Sequence, residues 1–279
     1  MLVIGANGQL SKEFQKIHSD KLTCLSSKDL DLRNLDEIYP NLKKYNPDLI
    51  INFSAYNFVD LAESDPDNFV INAQAIKKIA EYSKDADIEL IHISTDYVFD
   101  GKKGNYIESD LMNPINAYGK AKLAGENYIR EICSKYFIVR TSWLYSVYEN
   151  NFLDKIVSSY KSEMNLKGAD DIIGSPTSAR SLAEAIYHLI QSKSSAYGLY
   201  HFSNIGEISK YVFIQSIVDK LASQNQGSNV QVAKARNKDF KLPANRPYNT
   251  SLNSSKFEQT FNFKIPLWEK ELHSIMSKL

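Results

Sequence analysis

The sequence predicts an α/β protein: a doubly wound parallel sheet with a smaller C-terminal lobe. Three observations predict it. Short apolar runs alternate with amphipathic segments as far as Thr141, the pattern of strands and crossover helices. The first run leads directly into a Gly-rich turn. After Trp143 the alternation becomes irregular, as expected of a second lobe assembled from separate segments.

The bulk composition narrows the function. A chain of 279 residues accommodates one large α/β domain or two lobes. Its 33 basic and 33 acidic residues cancel, which argues against a nucleic-acid footprint or a polybasic membrane surface. No apolar run approaches the roughly 18 residues of a spanning helix. No basic stretch precedes the first apolar residues, so a signal peptide is not expected. Cys24 and Cys133 lack CxxC spacing and read as reduced packing residues, consistent with a cytoplasmic protein. The five histidines lack HxxxH or HExxH spacing, so no metal is expected.

The elements follow in order. Met1–Ile4 is a buried-strand run. GANGQLS at 5–11 follows it, then an amphipathic segment carrying Leu10, Phe14 and Ile17. Strand, Gly-rich turn and helix form the context of a Rossmann-type dinucleotide site. Gly5 suits the tight turn, and Gly8 lets backbone N–H groups approach a pyrophosphate at the helix N-terminus. Gly5, Asn7, Gly8, Gln9 and Leu10 are therefore cofactor-binding candidates. Ser11 stands where a third glycine is usual, a small residue that still permits close packing. Leu22–Leu25 is the second strand. No carboxylate stands at its tip to grip a ribose 2′-OH, and Lys28 and Arg33 are nearby cations, so NADPH is favoured, with NADH also accepted. Asp31 and Leu32 are placed near the adenine edge; turn or capping roles suit Asp29 and Asp31 equally.

Asn34–Tyr45 reads as a polar helix and Leu49–Phe53 as the third strand. The loop Ser54-Ala55-Tyr56-Asn57 lies at that strand's C-terminal end, where open α/β sheets bind ligands, and Ser54, Ala55 and Tyr56 are cofactor-binding candidates. Phe69, Ala73, Ile76 and Ile79 form a core stripe on a long helix. Leu90–Ile93 is the fourth strand and carries Thr95 at its end. Tyr118 and Lys122 then share one helical face, four residues apart. A phenol beside an ammonium can move a proton at neutral pH, and an adjacent cation favours the phenolate. Tyr39 and Lys43 repeat the spacing, but Pro40 follows that tyrosine and no hydroxyl-tipped strand precedes it. A strand is expected over 137–141, helices over 152–161, 178–191 and about 208–223, and a late strand over 199–202.

The motifs ISTDYVFDG at 93–101, PINAYGKAKLAGE at 114–126, RTSWLY at 140–145 and NRPYNTSLN at 245–253, with GANGQL and VDLAESDP at 59–66, are jointly specific. On them the chain resembles the extended short-chain dehydrogenase/reductases over nearly its whole length. Its departures are Ser11 and Tyr56, the latter where a histidine is usual.

The resemblance implies residues 1–149 as an NAD(P)-binding Rossmann-type domain, with a late return over about 178–204. The remaining segments of 150–279 form a nucleotide-sugar-binding lobe. It implies hydride donation from NADPH to the C4 ketone of a dTDP-linked 6-deoxyhexose. Tyr118 then gives the proton, Lys122 holds the nicotinamide ribose, and Thr95 hydrogen-bonds the ketone oxygen. Asp96 and Tyr97 orient the sugar. Trp143 offers it a flat face, unless it is core. Arg246 holds the diphosphate, unless it is a surface ion-pair residue, and Asn151 helps at a helix start. Residues alone yield less: a nicotinamide-dependent carbonyl/alcohol oxidoreductase. Two alternatives stand beside the favoured reading: reduction of another nucleotide-linked 4-keto sugar, such as a UDP-linked 2-acetamido sugar, and a non-catalytic cofactor-binding regulatory subunit. Oligomeric state is open, with a homodimer the expectation.

Overall fold

The apolar runs become parallel strands in the computed structural model. Strands β1 (Leu2–Ile4), β2 (Thr23–Leu25), β3 (Leu49–Asn52), β4 (Glu89–Thr95) and β5 (Tyr136–Thr141) form the first part. They are joined by α1 (Gln9–Ile17), α2 (Leu35–Tyr45), α3 (Asp67–Phe69), a π-helical stretch at Val70–Gln74, α4 (Ala75–Asp85) and α5 (Ala117–Ile132). Next come β6 (Leu144–Tyr145), α6 (Phe152–Lys161), β7 (Leu166–Ala169), β8 (Ile173–Gly174), β9 (Thr177–Ser178) and α7 (Ala179–Ser192). The chain returns as β10 (Gly198–His201) and finishes with β11 (Ile208–Ser209), α8 (Lys210–Gln224), β12 (Val232–Ala235), α9 (Ser255–Phe261) and α10 (Trp268–Met276). The structure describes residues 1–18, 22–224 and 230–278; part of the polar stretch expected after residue 223 lies outside the described residues.

The main sheet has the order β2-β1-β3-β4-β5-β10, and every pairing in it is parallel. Strand side chains alternate across it. Val3, Ile51, Ile91 and Val139 pack with α1 and α7. Leu2, Ile50, Leu90 and Ile138 pack with α2, α4 and α5. Both faces are covered, which is why the strands read as continuous apolar runs. A separate core holds α6, α8 and α10 together through Leu153, Phe213, Ile217 and Leu272.

The connection reverses direction between β1 and β3, so the ligand crevice opens there, at the strands' C-terminal ends. Gly5 occupies that point with φ +92°, and a Cβ on it would lie 2.8 Å from the Ser54 nitrogen. Ser11 is fully buried, so its small size does allow close helix packing. One expectation fails. Ala73, Ile76 and Ile79 are buried, but Phe69 is 45% exposed. The π-helical stretch inserts an extra residue between Phe69 and the rest of the stripe, and this rotates Phe69 out of phase.

Helix α5 is tied to the sheet by an ion pair with both side chains fully buried: Arg140 donates to Glu126 Oε2 at 2.6 Å and, through Nε, to Oε1 at 2.9 Å. Ser94 of β4 donates to the same Glu126 at 2.5 Å. Glu126→Gln leaves the Arg140 charge without its counter-ion. It is expected to lower folding stability by roughly 3–5 kcal/mol in urea or guanidinium titrations.

Candidate active site

The site is built where β4 ends and α5 begins. Beyond Thr95 the backbone enters a 3-10 turn, Asp96–Val98. The Thr95 hydroxyl accepts the Tyr97 N–H at 3.2 Å and donates to Asp96 Oδ1 at 3.0 Å. Asn116 caps α5 by accepting the Gly119 N–H at 2.8 Å, and its amide donates to the Asn245 carbonyl at 2.9 Å. The cap thus joins α5 to a late segment of the chain. A Cβ on Gly119 would collide with the Tyr97 carbonyl, so this glycine lets the helix rest directly on the 3-10 turn. The consequence is that Tyr118 lies edge-on to Tyr97, with ring centroids 5.9 Å apart, and its hydroxyl donates to Asn57 Oδ1 at 3.4 Å.

Lys122 sits one turn further into α5 and is almost completely buried. Its Nζ donates to the Ile93 carbonyl at 2.7 Å and lies 3.2 Å from His92 Nε2. Burial is the first influence on the proton affinity of both members of the pair. Burial pushes the Tyr118 phenol up, Asp96 adds to the rise, and hydrogen bonding from Thr95 opposes it. Burial lowers the Lys122 amine to about 8, against the pull of Glu126. Desolvation disfavours the charged form of each. Tyr118 is therefore held as an acid, the form that donates a proton. Asp96 is raised to about 6 by burial, although Thr250 and Thr95 both donate to it.

Two clefts meet at Gly8, Phe53, Ala55 and Asn57. The first, of about 400 Å³, is lined by Gly5, Asn7, Gly8, Asp31, Leu32, Ser54, Ala55 and Tyr56. The second, of about 510 Å³, is lined by Gln9, Leu10, Thr95, Asp96, Tyr97, Tyr118, Lys122, Trp143 and Asn151. Within them several side chains are already engaged. Asp31 grips Arg33 at 2.6 Å, and the guanidinium holds its carboxyl below the usual range. Lys28 is exposed and lines neither cleft, whereas Arg33 lines the first while paired with Asp31. Tyr56 donates to Asp65 at 2.7 Å. The Asn151 amide caps α6, accepting the Leu153 N–H at 2.8 Å and donating to the Ser146 and Tyr148 carbonyls. Trp143 takes φ +44° and packs on Gly174, with the Lys210 amine 3.5 Å from its ring centroid. Arg246 lines neither cleft; it pairs with Asp60 at 2.8 Å and donates to the Ala244 carbonyl at 3.1 Å.

Sequence reasoning placed Asn57 in the loop at the ligand-binding end of the third strand but missed His92, Thr250 and Lys210. His92 carried a signal: a polar residue inside an apolar strand run needs a buried partner. Lys210 opens α8 and Thr250 lies in the NRPYNTSLN segment, but neither position shows by spacing that it reaches Asp96 or Trp143.

A Rossmann-type sheet whose fourth strand ends in a hydroxyl facing a Tyr–Lys pair defines a reductase of the short-chain dehydrogenase kind. More particularly, the chain belongs to the RmlD substrate binding domain family, whose model matches residues 1–279. The dTDP-4-dehydrorhamnose reductase of Aggregatibacter actinomycetemcomitans is 32% identical, across 99% of this chain and 97% of that protein. The Escherichia coli K12 protein of the same name is 31% identical, across 100% and 97%. The crystal structure of the Bacillus anthracis dTDP-4-dehydrorhamnose reductase in complex with NADP superposes with a TM-score of 0.93. It is 34% identical and covers 100% of this chain and 98% of its own.

The Asp96 environment yields a stability test. Its folded-state pKa is raised from 3.8 to about 6, so the folded protein binds this proton more tightly than the unfolded chain. Stability from this group is present below about pH 4 and is lost as pH rises to about 6. The loss amounts to roughly 3 kcal/mol at neutral pH. In denaturation across pH 4–7, Asp96→Asn is expected to remove that decline.

Proposed function

We propose that this chain is the NADPH-dependent reductase that converts dTDP-4-dehydro-L-rhamnose to dTDP-L-rhamnose, a precursor of surface polysaccharide. The observation that carries the reading is the meeting of Thr95, Tyr118 and Lys122 in one cleft that is continuous with the Gly-turn cleft. Such convergence has no purpose in a non-catalytic cofactor-binding subunit. The relatives named above supply the identity of the sugar and nucleotide.

The first cleft fits a dinucleotide. Gly8 caps α1 with no side-chain hydrogen bond, so the first-turn amides of the helix are free to meet a pyrophosphate. Gly5, Asn7, Gly8, Gln9 and Leu10 would hold that end, Asp31 and Leu32 the adenine side, and Ser54, Ala55 and Tyr56 the middle. NADPH is the favoured donor, with NADH accepted. When bound, it supplies the hydride for the C4 carbon.

The residues do the rest. Thr95 points its hydroxyl at the ketone oxygen and Tyr118 protonates that oxygen as charge grows on it. Lys122 fixes the nicotinamide ribose and restores the tyrosine. Asp96 and Tyr97 position the hexose, Trp143 forms one wall, and Asn151 keeps the start of α6 in place beside it. Arg246 takes the diphosphate by exchanging Asp60 for phosphate oxygens. The nucleotide-sugar lobe comprises 150–279 apart from the return over about 178–204. The resemblance to the reductase family also supports a homodimer, which sedimentation would report. The soluble substrate and the free cysteines support a cytoplasmic location.

An NADPH-oxidation assay with dTDP-4-dehydro-L-rhamnose tests the reading. Tyr118→Phe is expected to reduce kcat/KM by roughly 10²–10⁴-fold with KM little changed. No turnover by the wild type on this substrate or its UDP-linked counterparts would refute the enzymatic reading. Near wild-type turnover by Tyr118→Phe would refute the proton-donor role.

A further inference from the structure

Behind Lys122 lies a chain of buried hydrogen bonds that the reaction does not use directly. Asn52 ends β3, His92 is its register partner on β4, and both are essentially inaccessible. The Ser54 N–H donates to Asn52 Oδ1 at 3.0 Å. Asn52 Nδ2 lies 3.0 Å from His92 Nδ1, and His92 Nε2 lies 3.2 Å from Lys122 Nζ.

The polarity of this chain can be worked out. A backbone N–H can only donate, so the Asn52 atom facing Ser54 is its carbonyl oxygen. The atom facing His92 is then the amide nitrogen, which also only donates. His92 Nδ1 must accept, so the neutral imidazole carries its proton on Nε2. That N–H points at Lys122 Nζ. An ammonium there would set donor against donor, whereas an amine accepts through its lone pair while still donating to the Ile93 carbonyl.

We infer that His92 is a positioning residue: through the Ser54–Asn52–His92 chain it turns an N–H toward Lys122 and so disfavours the ammonium form of that lysine in the ligand-free protein. The inference rests on the Tyr118–Lys122 pair being the proton-delivery unit.

The other groups around Lys122 do not replace this control. On its own helix, Tyr118 is neutral, and Glu126 favours the charged lysine but is already bound by Arg140 and Ser94. From the turn after β4, Asp96 acts on Tyr118. From the helix packed against α5, Asn68 and Asn72 are uncharged. The depressed Lys122 amine, about 8, agrees with the geometry.

Two NMR measurements on the ligand-free protein decide it without any assay of turnover. Long-range ¹H–¹⁵N spectra report the histidine tautomer, with His92 assigned by its absence in His92→Phe; the Nε2–H form is expected. The ¹³Cε shift of Lys122, assigned by its absence in Lys122→Met, reports the lysine charge, with a midpoint expected near 8. Asn52→Asp reverses the chain, because a carboxylate accepts from both Ser54 and His92 Nδ1–H and leaves Nε2 to accept from an ammonium. Its proton affinity at Lys122 should rise about tenfold or more, a shift of at least one pH unit. The same Asn52→Asp change in a His92→Phe background should shift it by much less. An Nδ1–H tautomer in the wild type, or a lysine still charged through pH 9, overturns the inference. So does an Asn52→Asp shift that is undiminished without His92, since that would be charge acting through space. If Asn52→Asp does not fold, the two wild-type readings decide alone.

Discussion

The buried pair of Glu126 and Arg140 sets where α5 lies on the sheet, and the chemistry depends on that placement. One carboxylate receives Arg140 from β5 and Ser94 from β4. Arg140 also lies over the Phe99 ring and within 3.4 Å of His201 on β10. Two adjacent strands thus converge on a single residue of the helix, and a third, β10, is joined to the set through Arg140. A buried ion pair adds little net stability compared with well-packed apolar residues. Its effect here is on register. Sliding α5 by one residue would break a charge-assisted hydrogen-bond set that has no alternative partners at that depth. Tyr118 and Lys122, two turns and one turn before Glu126, are located by the same anchor.

Close packing completes what the ion pair begins. Gly119 allows the first turn of α5 to touch the Tyr97 carbonyl, and the Asn116 cap links that turn to Asn245. The Tyr118 ring is therefore held between the strand-end turn and the loop after β3, not left to sample rotamers in an open cleft. This close fit also produces the site's electrostatics. Water is excluded, so burial dominates, raising Tyr118 and Asp96 and lowering Lys122. Spacing on a helix shows which groups are neighbours. It does not show how dry they are, and dryness decides their charge.

That distinction also explains what could be read from the sequence. Strand positions, the Gly5 turn, α5 and the hydroxyl at Thr95 were legible because period-2 and period-3.6 patterns and turn chemistry are local. The Tyr39/Lys43 decoy was separable for the same reason: the structure shows Tyr39 donating to Asp85 on the surface, far from any strand end. Phe69 was misassigned because a π-helical stretch changes the helical phase without a compositional mark. Asn151 and Arg246 line up with plausible ligands in sequence, yet the fold engages one as a helix cap and the other with Asp60. Those partners are distant in the chain or depend on backbone geometry, and no spacing rule reveals them. His92 and Asn52 were the recoverable omissions. Each interrupts an apolar strand with a polar side chain, and a buried polar group must be answered by another.

The substrate side follows from a different constraint. Late segments reach the cleft from separate elements, and some of their contacts are electrostatic. Thr250 donates to Asp96 from one such segment, and the Lys210 amine lies over Trp143 and Phe152 from another. Lys210 is lowered to about 7 by burial, Arg246 lowers it further, and Asp96 opposes them. Opposite charges are therefore held near each other without direct pairing, Asp96 against Thr250 and Arg246 against Asp60. On the proposed reading, a sugar diphosphate would bring hydroxyls to the first and negative charge to the second. The Arg246–Asp60 pair joins the late segments to the loop after β3, and phosphate oxygens would compete with Asp60 for the same guanidinium. On the proposed reading of Arg246, one side chain would then connect the substrate to the loop after β3.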